Sequence, residues 1–141
     1  MVKVARYTQD DEAKVVAFIR RAQANADPDK SILSRSVLIK DDQQVVGMVS
    51  YEPHDNMGVI RYFLYDARIA GIDLMVGMFL ELYKKAQNEG VKQLIAQAPS
   101  REVEQLFEML GFFLINASSV LPHLGGKNAQ VLMIGLEESG D

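Results

Sequence analysis

The pattern of hydrophobic and polar positions changes period within one central stretch, residues 59–86. From Val59 to Tyr65 the residues are β-branched, aromatic or otherwise large and no Gly or Pro interrupts them, which predicts a well-buried strand. After a short loop the apolar residues recur in steps of four and three, at Ile72, Val76, Phe79, Tyr83 and Ala86. This spacing predicts a central helix with one continuous apolar stripe, widened by Leu74, Met75, Met78 and Leu82.

A six-residue loop, Asp66 to Gly71, separates the predicted strand from the predicted helix. It contains Arg68 and several small residues. A strand that feeds a helix through so short a loop directs free backbone N–H groups and the positive end of the helix dipole at one point. The pattern therefore predicts an anion site at the start of the helix.

The residues nearest the N-terminus predict a strand followed by a helix. Val2 and Val4 alternate with Lys3 and a small residue as the first strand. Thr8 and Asp11 have the spacing of a capping box, so a helix is expected to start there, and Pro28 forbids its simple continuation. We expect its apolar stripe at Ala13, Val16, Ala17 and Arg20, flanked by Val15, Ile19 and Ala22.

Three strands are predicted between this helix and the central one. Residues 37–39 and 44–51 predict a hairpin, in which Gly47 is a weak point or a bulge. Residues 52–56 contain Pro, Asp and Asn and predict a turn before the strand at 59–65. The three strands are therefore expected to form an antiparallel meander.

The remaining residues predict a further strand, a helix and two final strands. The first strand is Gln93 to Ala98, and the last two are 112–115 and 130–136. Ser100 is expected to cap the helix and Gly111 to end it. Its apolar positions are Val103, Leu106, Phe107 and Leu110. The complete order, β-α-(short α)-β-β-β-α-β-α-β-β, predicts an α/β (α+β) fold whose mixed sheet carries helices on both faces.

Composition narrows the class of function. A chain of 141 residues is expected to form one domain, and its net charge of −4 offers no basic surface for nucleic acid. The absence of cysteine excludes disulfides, thiolate metal ligands and a cysteine nucleophile, and two distant histidines make a metal site improbable. No apolar run is long enough for a membrane span or a secretory signal, so we expect a cytoplasmic protein. A homodimer is left open.

The order of elements, with Arg68-x-x-Gly71 at the strand-to-helix junction and Leu110-Gly111-Phe112 after the last helix, resembles the GNAT superfamily of acyl-CoA N-acyltransferases. The resemblance covers nearly the whole chain. It implies a mostly antiparallel sheet of about six to seven strands, in which the fourth strand splays from the fifth. It implies that the pantetheine of acetyl-CoA lies along Arg61, Tyr62 and Phe63. It also implies that the pyrophosphate meets the loop and the helix start at Arg68, Ile69, Ala70, Gly71, Ile72, Asp73 and Leu74.

Three positions depart from the family pattern. Asp73 replaces the final Gly or Ala of the phosphate motif. If a phosphate charge lay about 5 Å from this carboxylate, at an effective dielectric near 20, the repulsion between the two would cost roughly 3 kcal/mol. A carboxylate in the first turn of a helix also has a structural explanation, because it gains about 0.3 to 1 kcal/mol from the dipole. Ser100 replaces the usual Asn and is still able to cap. Phe107 replaces the Tyr that commonly protonates the leaving thiolate, so that general acid is absent.

Other polar residues near the predicted splay are candidates for the chemistry. Glu52, His54 and Asp55 lie on the predicted turn and are candidates for a general base for an amine, of which we choose Glu52, although a plain surface turn explains them as well. Alternation places Arg61 on the face of Val59 and Phe63, where a buried guanidinium would need an internal carboxylate or an anionic group of the substrate. His123 has serines nearby but no acid that would complete a triad.

Two functions follow from these residues and from the resemblance. The first is an N-acetyltransferase that moves the acetyl group of acetyl-CoA to an amine acceptor, which is either a small molecule or a protein. The amine would attack the thioester directly, with water or Glu52 taking the proton. The second is a GNAT-fold module without catalysis that binds a ligand or another protein, for which Asp73 and Phe107 are the arguments.

Overall fold

A computed structural model describes residues 1–23, 27–69, 71–115 and 130–136, and its elements follow the predicted order. The strands are β1 Val2–Arg6, β2 Ser36–Asp41, β3 Gln44–His54, β4 Met57–Tyr65, β5 Gln93–Ala98, β6 Phe113–Ile115 and β7 Gln130–Gly135. The α-helices are α1 Glu12–Ala22, α2 Ile72–Asn88 and α3 Arg101–Met109. Two 3-10 helices, Gln9–Asp11 and Lys30–Arg35, flank α1 on either side in sequence.

The seven strands form one sheet in the order β1-β2-β3-β4-β5-β7-β6. Strands β2, β3 and β4 form the predicted antiparallel meander. Among the strands of the described residues, only β4 and β5 pair in parallel, because α2 carries the chain across the sheet between them. The prediction of a mixed, mostly antiparallel sheet is confirmed.

The sheet opens between its two parallel strands. They are paired over three positions only, and the last pair is Val59 with Ile95. Both strands continue beyond it, β4 to Tyr65 and β5 to Ala98. We call the resulting gap the fork and the Val59–Ile95 pair its apex. The predicted opening beside Tyr62 and Phe63 is therefore present.

Helices cover both faces of the sheet, as predicted. The face that we call the α2 face holds the largest hydrophobic cluster, to which α2 contributes the fully buried Met78, Phe79 and Leu82. On the opposite face, the α1 face, Val15 and Ile19 of α1 pack on the sheet. Helices α2 and α3 therefore lie on one face of the sheet and α1 lies on the other.

A β-bulge in β4 overturns the predicted orientation of Arg61. Ser50 pairs with Tyr62 and the next residue of β3 pairs with Ile60, so that Arg61 is an extra residue in β4. The bulge resets the alternation, since Val59 clusters with Ile95 while Phe63 packs on the α2 face. The prediction that Val59, Arg61 and Phe63 share one face is therefore wrong.

The predicted turn at residues 52–56 is also wrong in extent. Strand β3 continues through Glu52 and Pro53 to His54, and the turn consists of Asp55 and Asn56. Asp55 adopts a left-handed φ of 57°, which Asp tolerates in tight turns. Proline is accommodated within the strand although the local sequence reads as a turn.

The buried faces of two helices differ from the predicted stripes. In α1 the predicted positions Ala13, Ala17 and Arg20 are exposed. The larger apolar side chains are buried in their place, at Val15, Val16, Phe18 and Ile19. In α2 the stripe is rotated away from the exposed Ile72. Its buried members are Met75, Met78, Phe79, Leu82 and Ala86. The sheet selects the face that removes most apolar area from water.

None of the helices in the described part of the chain is both long and apolar enough to cross a membrane.

Candidate functional site

The fork contains a cavity of about 420 Å³. Its walls come from β4 beyond the apex, from the end of β5 and from α3, with Ile60, Gln97 and Leu106 as one member of each. Beyond the apex, the edge of β4 that faces β5 has no strand partner within the described residues for its backbone N–H and C=O groups. The cavity therefore combines a mostly apolar lining with backbone donors and acceptors along one side.

Aromatic rings form the floor of this cavity. Phe63 and Phe107 line it and lie 5.5 Å apart between ring centroids, and Phe79 lies beneath them at 5.0 and 6.0 Å. Phe112 packs on Phe107 at 5.1 Å. Because Phe107 is nearly fully buried in this cluster and has no hydroxyl, it supplies no proton to a leaving group.

Arg61 lies at the cavity wall but is not buried, since 43% of its side chain is exposed. The expectation of a buried guanidinium is therefore wrong. Its Nη1 donates to Glu52 Oε1, so one of the two predicted partners, an internal carboxylate, is present. Hydrogen bonds from Ser31 lower the pKa of the Asp29 carboxyl, and the positive charge of Arg61 lowers it further.

Glu52 stands next to the apex of the fork, on a strand and not on a turn. It pairs with Val59, the last residue of β4 that also pairs with β5. Its carboxylate is half-buried, holds Arg61 and lies with Oε2 3.7 Å from His54 Nε2. Glu52 therefore lies beside the residue pair at which β4 and β5 part, with its carboxylate paired to Arg61.

Tyr62 turns away from the fork. Its ring is buried on the α1 face, and its hydroxyl accepts a hydrogen bond of 2.9 Å from the backbone N–H of Asp29. A role of Tyr62 in holding pantetheine therefore concerns its backbone alone.

Ionic and backbone contacts shape the loop after β4. Asp66 accepts hydrogen bonds from the backbone N–H, Nε and Nη2 of Arg68, each of 3.0 to 3.1 Å. The hydrogen bonds from Arg68 lower the pKa of the Asp66 carboxyl. Ile69 closes a turn by donating its N–H to the carbonyl of Asp66. Ala70, also a predicted phosphate contact, lies outside the described residues.

The N-terminus of α2 is open but carries a negative charge. Gly71 is the N-cap in an extended conformation, and no side chain in the described ranges caps the first turn. Ile72 and Asp73 are exposed and Leu74 is half-buried. Free N–H groups at this end would suit an anion, but the Asp73 carboxylate already occupies the same turn.

Helix α3 is positioned at both ends. Ser100 caps it by accepting a 3.3 Å hydrogen bond from the N–H of Val103, as predicted. Gly111 follows with a φ of 102°, which ends the helix as expected. The hydroxyl of Tyr83 in α2 donates to the carbonyl of Leu110 at 2.8 Å. These contacts hold Phe107 against the cavity.

A second cleft, of about 560 Å³, lies on the α1 face between α1, the start of β3 and the loop after β4. We call it the α1 groove. Lys14, Arg21 and Arg68 line it together with Asp66. Arg68 thus lines this groove and not the cavity in the fork. The sequence analysis did not single out Lys14 and Arg21, although a spacing of seven on a predicted helix places two side chains on the same face.

The amide of Gln97, at the end of β5, has an unsatisfied donor. Its Nε2 is buried and has no hydrogen-bond partner among the described residues. We expect Gln97→Met to stabilise the ligand-free protein by about 1 kcal/mol, because it removes a buried donor at nearly constant volume. Chemical denaturation measures the change.

The control for this substitution is Gln93→Met, on the same strand and the same face and likewise half-buried, whose amide is not among the buried unsatisfied groups of the described residues. It should change the free energy of unfolding by less than about 0.5 kcal/mol. A loss of stability in Gln97→Met would show that the Gln97 amide makes a hydrogen bond in solution.

No protein-family model and no curated protein sequence matches the chain, whereas solved structures do. N-acetylglutamate synthase from Neisseria gonorrhoeae, complexed with coenzyme A and N-acetyl-glutamate, matches 98% of this chain with a TM-score of 0.77 and 16% identity. A GNAT-family acetyltransferase from Staphylococcus aureus matches 97% of this chain and 100% of its own, with a TM-score of 0.73 and 13% identity. An acetyltransferase from Streptococcus agalactiae matches 96% of this chain and 98% of its own, with a TM-score of 0.72 and 16% identity.

These likenesses show the fold. The chain has the fold of GNAT acetyltransferases, as the resemblance of its sequence implied. It spans about a third of the length of the two N-acetylglutamate synthase structures that it matches, and both of those contain coenzyme A.

Proposed function

We propose that this chain, which has the GNAT acetyltransferase fold, is an acyl-CoA-dependent N-acyltransferase that moves an acetyl group from acetyl-CoA to an amine. The observation that carries the proposal is the fork, an apolar slot lined on one side by unpaired backbone of β4. The presence of coenzyme A in two structures of the same fold supports it.

In this proposal the donor lies along β4 with its reactive end near the bulge. Arg61 is the bulged residue, and on the β5 side residues Arg61 to Phe63 lie beyond the last pair that β4 forms with β5, so that N–H groups directed to that side suit the amide and thioester carbonyls of the donor. Ser100 and Phe107 would bound the slot on the α3 side. An N–H directed at the thioester oxygen stabilises the negative charge that develops there during attack.

The reaction proceeds by direct transfer. The neutral amine attacks the thioester carbon, the new C–N bond forms, and the C–S bond breaks as the sulfur leaves with its electron pair. The proton released by the amine passes to Glu52 or to water, and the thiolate takes a proton from water, because Phe107 has no hydroxyl. The products are an N-acetylated amine and coenzyme A, and no acyl-enzyme is formed.

A second candidate is a module of the same fold that binds a ligand or a protein without catalysis. Two observations favour it. Asp73 places a carboxylate in the helix turn that would face the pyrophosphate, and Phe107 fills the position of the general acid with a buried ring. Neither observation removes the fork itself.

Three measurements test these candidates. Acetyl-CoA at about 100 times its dissociation constant should raise the melting temperature by several degrees, since it binds the folded state alone. Incubation of the protein and acetyl-CoA with a panel of amines should then release free coenzyme A, detected by a thiol reagent. Glu52→Gln should lower the turnover number by about tenfold or more while acetyl-CoA affinity stays within about twofold.

Each outcome decides the proposal. Binding without turnover of any amine in the panel, including polyamines, amino acids and peptides, would favour the non-catalytic module. No change in melting temperature would exclude acetyl-CoA as a ligand and overturn the proposal.

A further inference from the structure

The direction of β4 determines where the far end of a bound donor emerges. If the thioester lies near the bulge at Arg61, the donor runs along β4 away from the apex and leaves the fork at Tyr65, the last residue of the strand. Two surfaces meet there. One is the N-terminus of α2, and the other is the α1 groove.

Charge distinguishes these two surfaces. At the N-terminus of α2, the partial positive charge of the helix faces the full negative charge of Asp73. In the α1 groove, Lys14, Arg21 and Arg68 supply three positive charges against the single carboxylate of Asp66. The nucleotide end of acyl-CoA carries a pyrophosphate and a 3′-phosphate, so the groove is electrostatically the better site.

Two of the three cations of the groove, Lys14 and Arg21, are available for a ligand, whereas Arg68 is paired with Asp66. Lys14 and Arg21 lie seven residues apart on one face of α1, with Phe18 between them. Within the described ranges neither of these two cations lies within 4 Å of a carboxylate. The guanidinium of Arg21 stands over the ring of Phe18, 5.9 Å from its centroid, which holds it at the groove.

The groove is continuous with the fork. A further cleft of about 540 Å³ shares Arg21, Arg68 and Asp66 with the groove, and it shares Leu64 and Tyr65 with the cavity in the fork. Tyr65 is exposed at this junction and offers a flat aromatic surface. Planar rings such as adenine stack on aromatic side chains of this kind.

We propose that the α1 groove binds the nucleotide end of acyl-CoA, with Lys14, Arg21 and Arg68 at its phosphates and Tyr65 against its adenine. The α2 N-terminus, where Asp73 stands, is then left without a phosphate. This inference rests on the proposed function, because it assigns a part of the same donor to residues that the fork alone does not involve.

The test compares three ligands on one double variant. Lys14→Glu with Arg21→Glu should lower the affinity for acetyl-CoA by about 30-fold or more at low salt, because two attractions become repulsions. The double variant should also bind adenosine 3′,5′-bisphosphate more weakly than the wild type does. Acetyl-pantetheine, which has no nucleotide, should bind the variant and the wild type within about twofold. Calorimetric titration at low and moderate salt measures all three, and the loss should shrink as salt increases.

A matched control has the same change in charge elsewhere. Arg20→Glu with Lys84→Glu alters two exposed cations on α1 and α2 that do not line the groove. An equal loss of acetyl-CoA affinity in this control would overturn the proposal, since general repulsion would then explain the effect. Tighter binding by Asp73→Asn, together with an unchanged affinity in the groove variant, would place the phosphates at α2 and overturn it too.

Failure of the proposed function would look different. If the wild type binds neither acetyl-CoA nor acetyl-pantetheine, the fork does not hold a donor. Binding of adenosine 3′,5′-bisphosphate that is lost in the groove variant would still support a nucleotide site in the groove. No binding of the bisphosphate by the wild type would overturn that site as well.

Discussion

Phe79→Ala is expected to lower the free energy of unfolding by about 3 to 5 kcal/mol. Phe79 is fully buried, and its ring packs edge-on against Phe63, Phe107 and Phe112 at centroid distances of 5.0 to 6.3 Å. Its removal leaves a cavity that its aromatic neighbours fill only in part, because Phe63 is held in β4, Phe107 in α3 and Phe112 in the segment before β6. Chemical denaturation followed by far-ultraviolet circular dichroism measures the loss.

The same substitution is expected to affect the site. Phe63 and Phe107 line the fork and rest on Phe79, so they should lean into the new space and enlarge the slot. Leu80→Ala is the matched control, because Leu80 follows on the same helix with 53% of its surface exposed. The control should lose less than about 0.5 to 1 kcal/mol. Similar losses in both variants would contradict our placement of the buried face of α2.

Lys40→Met is expected to cost about 3 kcal/mol, because it leaves a buried carboxylate without its cation. Lys40 Nζ donates to Asp11 Oδ1 at 2.6 Å, and 7% of the Asp11 side chain is exposed. The other carboxylate oxygen accepts from the N–H and hydroxyl of Thr8, as in the predicted capping box. The pair ties the start of α1 to β2, and urea denaturation at neutral pH measures its loss.

Lys85→Met provides the comparison for this buried pair. Lys85 is about as covered as Lys40, but its partner Glu89 remains in contact with water. The loss there should stay below about 1 kcal/mol. The double variant Asp11→Asn with Lys40→Met should recover most of the stability that Lys40→Met alone loses, since no unpaired charge remains. A double variant no more stable than Lys40→Met would contradict the argument.

The Asp11 pair also predicts a pH dependence. Burial alone would raise the pKa of the Asp11 carboxyl, but the hydrogen bonds from Lys40 and Thr8 outweigh it and lower that pKa below its ordinary value. The stabilisation is therefore present above the unfolded pKa of about 4 and is lost as the pH falls through the folded value. Asp11→Asn should have a lower free energy of unfolding than the wild type at pH 7, and this difference should shrink as the pH falls to 3. Chemical denaturation at each pH measures it.

The type and order of the elements follow from local patterns. The sequence predicts β5 at the residues that form it, the cap at Ser100 and the end of α3 at Gly111. These features depend on the conformational preferences of a few consecutive residues. Local periodicity and capping therefore carry enough information to place them. The resemblance to the GNAT fold rested on the same information.

Other features depend on residues far apart in the chain. The bulge at Arg61 exists because β4 pairs with β3, and it decides that Phe63 enters the aromatic cluster while Val59 does not. The extension of β3 through Glu52 likewise depends on pairing with β4. No local pattern in either strand contains this register, which explains why strict alternation placed Arg61 wrongly.

The candidate site likewise has features that depend on local sequence and features that depend on distant residues. Through its resemblance to the GNAT superfamily, the chain predicted a loop for phosphate, and its residue types showed departures from the family pattern at Asp73 and Phe107. Only the tertiary structure brought Lys14 and Arg21 beside Arg68 and gave Arg61 its partner Glu52. Electrostatic fields and ion pairs act across space, so the charge at a site is decided by which distant elements the fold places around it.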